Sequence, residues 1–167
     1  MIDEGNVFAR QWYLSALREA TALQSTSKVT DASVAALSEA LGIPTAEVER
    51  GFQVLIERGL LSKTPEGRLE RTDPSIHNFG RTNAFSMLNY NIRVLEQSIK
   101  AAVLSSDKRY FETLTVAIPK ALFPEIKQRI KRFFREIDIM AEGSEGRTQV
   151  VQMNIQFFTQ FDETTEN

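Results

Sequence analysis

Apolar residues recur along this chain first at helical spacing and then, near its end, at alternate positions. From Val7 to about Leu23, Phe8, Trp12, Ala16, Ala20 and Leu23 line one face and predict a first helix. Gln24 to Thr30 breaks the pattern. Asp31 or Ser33 is placed to cap a short second helix whose Val34, Leu37 and Leu41 share a face, with Gly42 as the left-handed residue that closes it. After Ile43 and Pro44, Thr45 is the expected N-cap of a third helix, in which Val48, Phe52, Leu55 and Ile56 follow the i, i+4, i+7, i+8 rule up to Gly59. Leu60 to Lys63, the turn Thr64-Pro65-Glu66-Gly67 and Arg68 to Arg71 then read as a hairpin. Helix, helix, turn, helix, hairpin is the order of a winged helix, a variant of the helix-turn-helix motif.

Thr72 to Gly80 holds Pro74 and Gly80 with little apolar content, which predicts a connection and a boundary near residue 78. Beyond it, Phe85, Leu88, Ile92, Leu95, Ile99 and Val103 trace a long amphipathic helix started by Thr82 or Asn83, of a length that suits a scaffold or dimer helix. Leu114, Val116 and Ile118 alternate with Thr113, Thr115 and Ala117 in a strand that Pro119 ends. Ile126, Ile130, Phe133, Phe134, Ile137 and Met140 mark another helix, stopped at Gly143. A last strand sets Val151, Met153, Ile155 and Phe157 on one face and Gln152, Asn154 and Gln156 on the other. The fold class expected is α+β: a winged-helix unit over residues 7–73, then a small α/β dimerisation unit over 80–161 built as long helix, strand, helix, strand. The spacing permits a parallel strand pair without requiring it. Two strands alone rarely stand in water, and the last is uncharged and free of proline. A partner strand is therefore expected, most simply from a second copy of the chain, with Val151, Met153, Ile155 and Phe157 at the dimer or sheet interface.

Composition narrows the function classes. The 167 residues are 42% hydrophobic and 25% charged, the profile of a folded protein with room for two small cores. A net charge of −2 exerts no global pull on phosphate, so nucleic-acid contact would need a local basic patch. The absence of cysteine removes disulfides and thiolate chemistry and fits a reducing compartment. No basic-then-apolar leader and no apolar run of about 20 residues is present, which points to a cytoplasmic protein without a membrane. His77 is the single histidine and falls in the connection; there is no HExxH, paired CxxC or glycine-rich phosphate loop. The expectation is a non-enzymatic protein with no catalytic residue, metal or cofactor.

Two charged stretches are candidate binding surfaces. From Val29 to Glu49 no lysine or arginine occurs, while Asp31, Glu39, Glu47 and Glu49 put negative charge around the front of the third helix, where phosphate would be repelled. Arg50, Gln53 and Arg58, with Lys63, Arg68 and Arg71 on the hairpin, are the candidate DNA contacts, interleaved with Glu57, Glu66 and Glu70. Protein binding is favoured over DNA on this count. The most basic stretch runs from Lys120 to Arg135 against the single acid Glu125; its Lys127, Lys131, Arg132 and Arg135 form a patch for an acidic partner, or simply the solvated face of a helix.

Trp12-Tyr13, Leu41-Gly42-Ile43, Gly59-Leu60-Leu61, Leu114-Thr115 before Ile126-Lys127, and above all Val151-Gln152-Met153-Asn154-Ile155-Gln156-Phe157-Phe158 resemble one family. It is the C-terminal domain of unknown function of predicted bacterial transcriptional regulators, found mainly in predatory and fibre-degrading bacteria, and the resemblance runs from about Phe8 to Phe161. It implies a regulator. Members usually carry a phage-repressor-type helix-turn-helix domain ahead of this region, which is not seen here. The chain is thus expected to be either an excised domain or a short member without the standard DNA reader.

Overall fold

The structure is a computed structural model and describes residues 7–8, 11–72 and 84–162. The expected connection, with His77 and the helix starts Thr82 and Asn83, lies outside the described residues, as does the proposed boundary near residue 78.

The first helix does not run unbroken. Val7 and Phe8 are helical, a turn falls at Trp12 and Tyr13, and α1 spans Leu14–Ala20. The turn resets the helical phase: of the predicted stripe Phe8, Trp12, Ala16, Ala20 and Leu23, Phe8 and Ala20 are buried, but Leu14, Leu17 and Arg18 take the buried face in place of Trp12, Ala16 and Leu23. Helix α2 spans Asp31–Leu41, and its cap is Thr30 rather than Asp31 or Ser33. Thr30 Oγ1 accepts from the Ser33 amide at 3.2 Å and Ser33 Oγ accepts from the Thr30 amide at 2.9 Å, a reciprocal box that satisfies two otherwise orphaned donors. Gly42 closes α2 at φ 65°, as its position predicts. Helix α3 spans Thr45–Glu57 with Pro44, not Thr45, in the cap position. The hairpin follows: β1 (Leu61–Lys63) pairs antiparallel with β2 (Leu69–Arg71), Leu61 opposite Arg71 and Lys63 opposite Leu69. Its turn is closed by the Gly67 amide donating to the Thr64 carbonyl at 2.9 Å, with Gly67 at φ 79°.

These elements share one core. Leu14 and Leu17 of α1, Val34 of α2, and Val48, Phe52 and Leu55 of α3 are buried with Leu60, Leu61 and Leu69 of the hairpin region. The close approach of α1 to α3 depends on Gly51. A Cβ there would lie 2.5 Å from Leu17 Cδ1 and 3.2 Å from Leu14 Cδ2, so only glycine lets the two helices meet at this distance. The Leu69 amide donates to the Ser27 carbonyl at 2.7 Å, fastening the hairpin to the loop after α1.

The second half is built from two long helices, α4 (Ala84–Ala101) and α5 (Leu122–Glu142). Among the described residues Val94 is its only fully buried apolar residue; the others all precede residue 72. Helix α4 meets the first half through Tyr90, which hydrogen-bonds Ser15 of α1, and Val94 is buried one turn further on. Its amphipathic stripe, Phe85, Leu88, Ile92, Leu95, Ile99 and Val103, faces outward. The predicted strands over 113–118 and 151–157 are corrected too: the described residues form one sheet, β1 with β2, and neither segment joins a ladder. Alternation marks a segment able to pair, but strand structure needs a neighbouring strand, and the described residues bring none alongside. Leu114, Val116, Val151, Met153 and Ile155 are exposed, while Phe157 is half-buried and stacks on Phe123 with centroids 4.4 Å apart. Helices with a two-stranded antiparallel sheet make the fold α+β, and the expected order long helix, strand, helix, strand reduces to two helices, each followed by a segment outside any helix or sheet.

Candidate interaction surfaces

The face of α3 turned to solvent carries Glu49, Arg50, Gln53 and Glu57, and all but one of the candidate DNA contacts are exposed: Arg50, Gln53, Arg58, Lys63 and Arg68. Gln53 Nε2 donates to Glu57 Oε1 at 2.9 Å, which spends part of its hydrogen-bonding capacity within the helix. Glu47 does not face outward as the charge pattern suggests. It turns in to accept a hydrogen bond from the Tyr13 hydroxyl. Burial, then the hydrogen bond to the Glu47 carboxylate and its charge, push the Tyr13 phenol up to about 12. Because the folded chain holds that proton more firmly than the unfolded chain does, the associated stability is complete below pH 10 and drains away as pH rises toward 12. The stability difference between the native chain and Tyr13→Phe, followed by urea unfolding, is therefore expected to shrink across that window. A difference independent of pH would contradict this role.

Arg71 departs from the predicted DNA set. It sits at the junction of the two halves, where its Nη1 donates to Glu19 Oε2 at 2.7 Å and to Glu142 Oε1 at 2.6 Å, and its Nη2 to Glu142 Oε2 at 3.0 Å. Burial works against the guanidinium charge, but the hydrogen bond to Glu142 and the charges of Glu19 and Glu142 outweigh it and raise Arg71 above its ordinary range. The same hydrogen bond lowers Glu142. Arg147 completes the junction by donating to the Ala141 and Glu142 carbonyls at 3.1 Å each, which caps the C-terminal end of α5. Arg18, 2% exposed, donates from Nη1 to Glu19 Oε1 at 2.5 Å. The charges meet beside an open recess of about 310 Å³ lined by Thr21, Ala22, Leu69, Glu70, Arg71 and Arg147. Its arginines are committed to carboxylates and helix carbonyls, so the network clamps α5 to the first half and does not present free cations.

Sequence reading missed Arg18 and this network. Leu14, Leu17 and Arg18 stand at i, i+3, i+4, which was the available signal for Arg18; nothing local marks Arg71 and Glu142, 71 positions apart, as partners.

The basic patch lies on α5 as expected. Lys127, Lys131 and Arg135 follow an i, i+4, i+8 line with Arg132 beside it, all exposed, while Arg129 is drawn to Glu125 at 2.9 Å. Of the expected dimer or sheet residues, Val151, Met153 and Ile155 are open to solvent, and Asn154 Nδ2 donates to Ser98 Oγ of α4 at 2.8 Å, bringing that segment against the long helix. Among the described residues no group of three or more acidic, histidine or cysteine side chains is placed to hold a metal, and no helix is long and apolar enough to cross a membrane.

A family model described as "Domain of unknown function (DUF4423)" matches residues 3–159. No curated protein and no solved structure matches the chain.

Proposed function

Since the chain belongs to the DUF4423 family, whose members are described only as a domain of unknown function, we propose from its surfaces that it is a non-enzymatic regulatory module of transcriptional-regulator type, working by dimerisation and by binding protein partners. In this reading α1 to β2 form a winged-helix domain over residues 7–73, and residues 80–161 form the assembling domain. The observation that supports it best is the uneven burial. The first half closes its own core, whereas the second half leaves Phe85, Leu88, Ile99, Val103 and Val151 more than half exposed. Large apolar side chains left open in such number are the mark of an interface. The basic line on α5 suits an acidic segment of a protein partner.

Direct DNA binding is the second reading. It is favoured by the inward turn of Glu47, which removes one negative charge from the front of α3, and by the exposure of Arg50, Gln53, Lys63 and Arg68. It is opposed by exposed Glu49, Glu57, Glu66 and Glu70 among them and by the withdrawal of Arg71 into the junction. Fluorescence anisotropy with labelled duplex DNA at two salt concentrations separates the two. The expected result is no saturable binding at micromolar protein at the lower salt. Binding that weakens steeply between the two salts reports phosphate contacts and would replace the first reading with the second.

A further inference from the structure

We propose that the outward face of α4 is a seam that pairs with α4 of a second copy of this chain. The proposal rests on the assembly reading above and names the surface that carries it. Phe85, Leu88, Ile92, Leu95 and Ile99, with Ala102 just past the helix end, follow a 3-4-3-4-3 spacing, the a/d repeat of a two-helix pairing. Isoleucine stands at a (Ile92, Ile99) and leucine at d (Leu88, Leu95), the combination that favours two strands over three or four. The stripe is also narrow. A helix that folds onto its own domain's core widens its apolar face into the e or g positions, whereas here these hold Asn89, Asn91, Glu96 and Ser98. The face is exposed, most at its ends: Phe85 is 72% exposed, Leu88 55% and Ile99 73%, against 44% for Ile92 and 39% for Leu95, and Asn154 reaches its border at Ser98. Eighteen helical residues make a seam about 27 Å long at the standard rise.

Charge complementarity says which occupant fits. Glu96 is the only charged residue at the e and g positions. In a parallel pair it lies beside Asn91 of the second copy, and in an antiparallel pair beside Asn89, so its carboxylate meets an amide donor and never another carboxylate. A membrane surface would call for lysine or arginine along both flanks, and neither flank has one. An identical helix supplies the same narrow apolar line with matching polar borders. Buried Val94 and Tyr90, which bonds Ser15 of α1, stand on the opposite side of α4, so pairing leaves that contact in place and meets the chain's own Asn154 only at the Ser98 border.

The test uses the full chain. Sedimentation equilibrium at micromolar concentration is expected to give twice the chain mass, and Leu88→Glu/Leu95→Glu to weaken the association by more than about 100-fold, since it sets carboxylates against each other in a closing seam. Because these side chains are exposed in the single chain, circular dichroism of the variant should match the native protein. The chain has no cysteine, so introduced thiols report geometry cleanly. Ile92→Cys for a parallel pair, or Ile92→Cys/Leu95→Cys for an antiparallel one, should form an interchain disulfide under mild oxidation, and Arg93→Cys should not. If the charged variant loses its fold, the cysteine pattern decides. A native dimer that survives the glutamates and does not cross-link at the seam overturns this proposal while leaving the assembly reading intact. A well-folded native monomer overturns both.

Discussion

Leu17→Ala is expected to lower the unfolding free energy by about 2–5 kcal/mol, because Leu17 is fully buried where α1 crosses α3 and its removal leaves a cavity. Its neighbour Gly51 makes the expectation sharper. Gly51→Ala should itself be destabilising: the added methyl lands 2.5 Å from Leu17 Cδ1, an overpacking of about 1–3 kcal/mol, against about 1 kcal/mol gained from alanine's better helix propensity. In Leu17→Ala/Gly51→Ala the new methyl occupies space that leucine has vacated. The double variant is then expected to cost less than the sum of the singles by about 1 kcal/mol, measured by urea unfolding of all four proteins. Strict additivity would mean that the two side chains do not compete for the same space.

The second large effect concerns Arg18, the largest fully buried side chain among the described residues. Arg18→Ala is expected to cost about 3–5 kcal/mol, since it opens a cavity larger than a leucine's and removes one cation from the Glu19, Arg71 and Glu142 network. Arg18→Met keeps the volume and discards the charge; because Glu19 is 41% exposed and keeps Arg71 as a partner, no buried charge is stranded, so its cost should stay well below that of Arg18→Ala. Thermal or urea unfolding of the pair distinguishes packing from charge. Equal losses for both substitutions would show that the guanidinium charge, not its bulk, holds the junction.

Much of the first half was legible because its signals are local. Gly42 and Gly67 adopt the left-handed backbone that ends α2 and tightens the hairpin turn, and the apolar spacing of Val48, Phe52 and Leu55 matches the buried face of α3. The caps shifted by a residue, to Thr30 and Pro44, because hydroxyl and proline positions beside a helix start are near-equivalent until backbone geometry selects one. The candidate surfaces were legible as composition and not as arrangement. Arg50, Gln53, Arg58, Lys63 and Arg68 are exposed as the chain's polarity suggests, but the positions of Glu47 and Arg71 depend on Tyr13 and Glu142, which lie far from them in sequence.

By itself, the amino-acid pattern determined where most helices and the hairpin turn form and which face of α3 leaves water, since propensity, capping and periodicity act over a few residues. Tertiary structure alone decided the helical phase after the turn at Trp12 and Tyr13, the glycine contact between α1 and α3, the clamp from Arg71 to Glu142, and the outward direction of the α4 stripe. The physical reason is that hydrophobic burial is non-directional. A stripe such as Phe85 to Ile99 lowers its free energy against any complementary surface, so periodicity states that it seeks cover, and only the packing of the described residues shows that they leave it open.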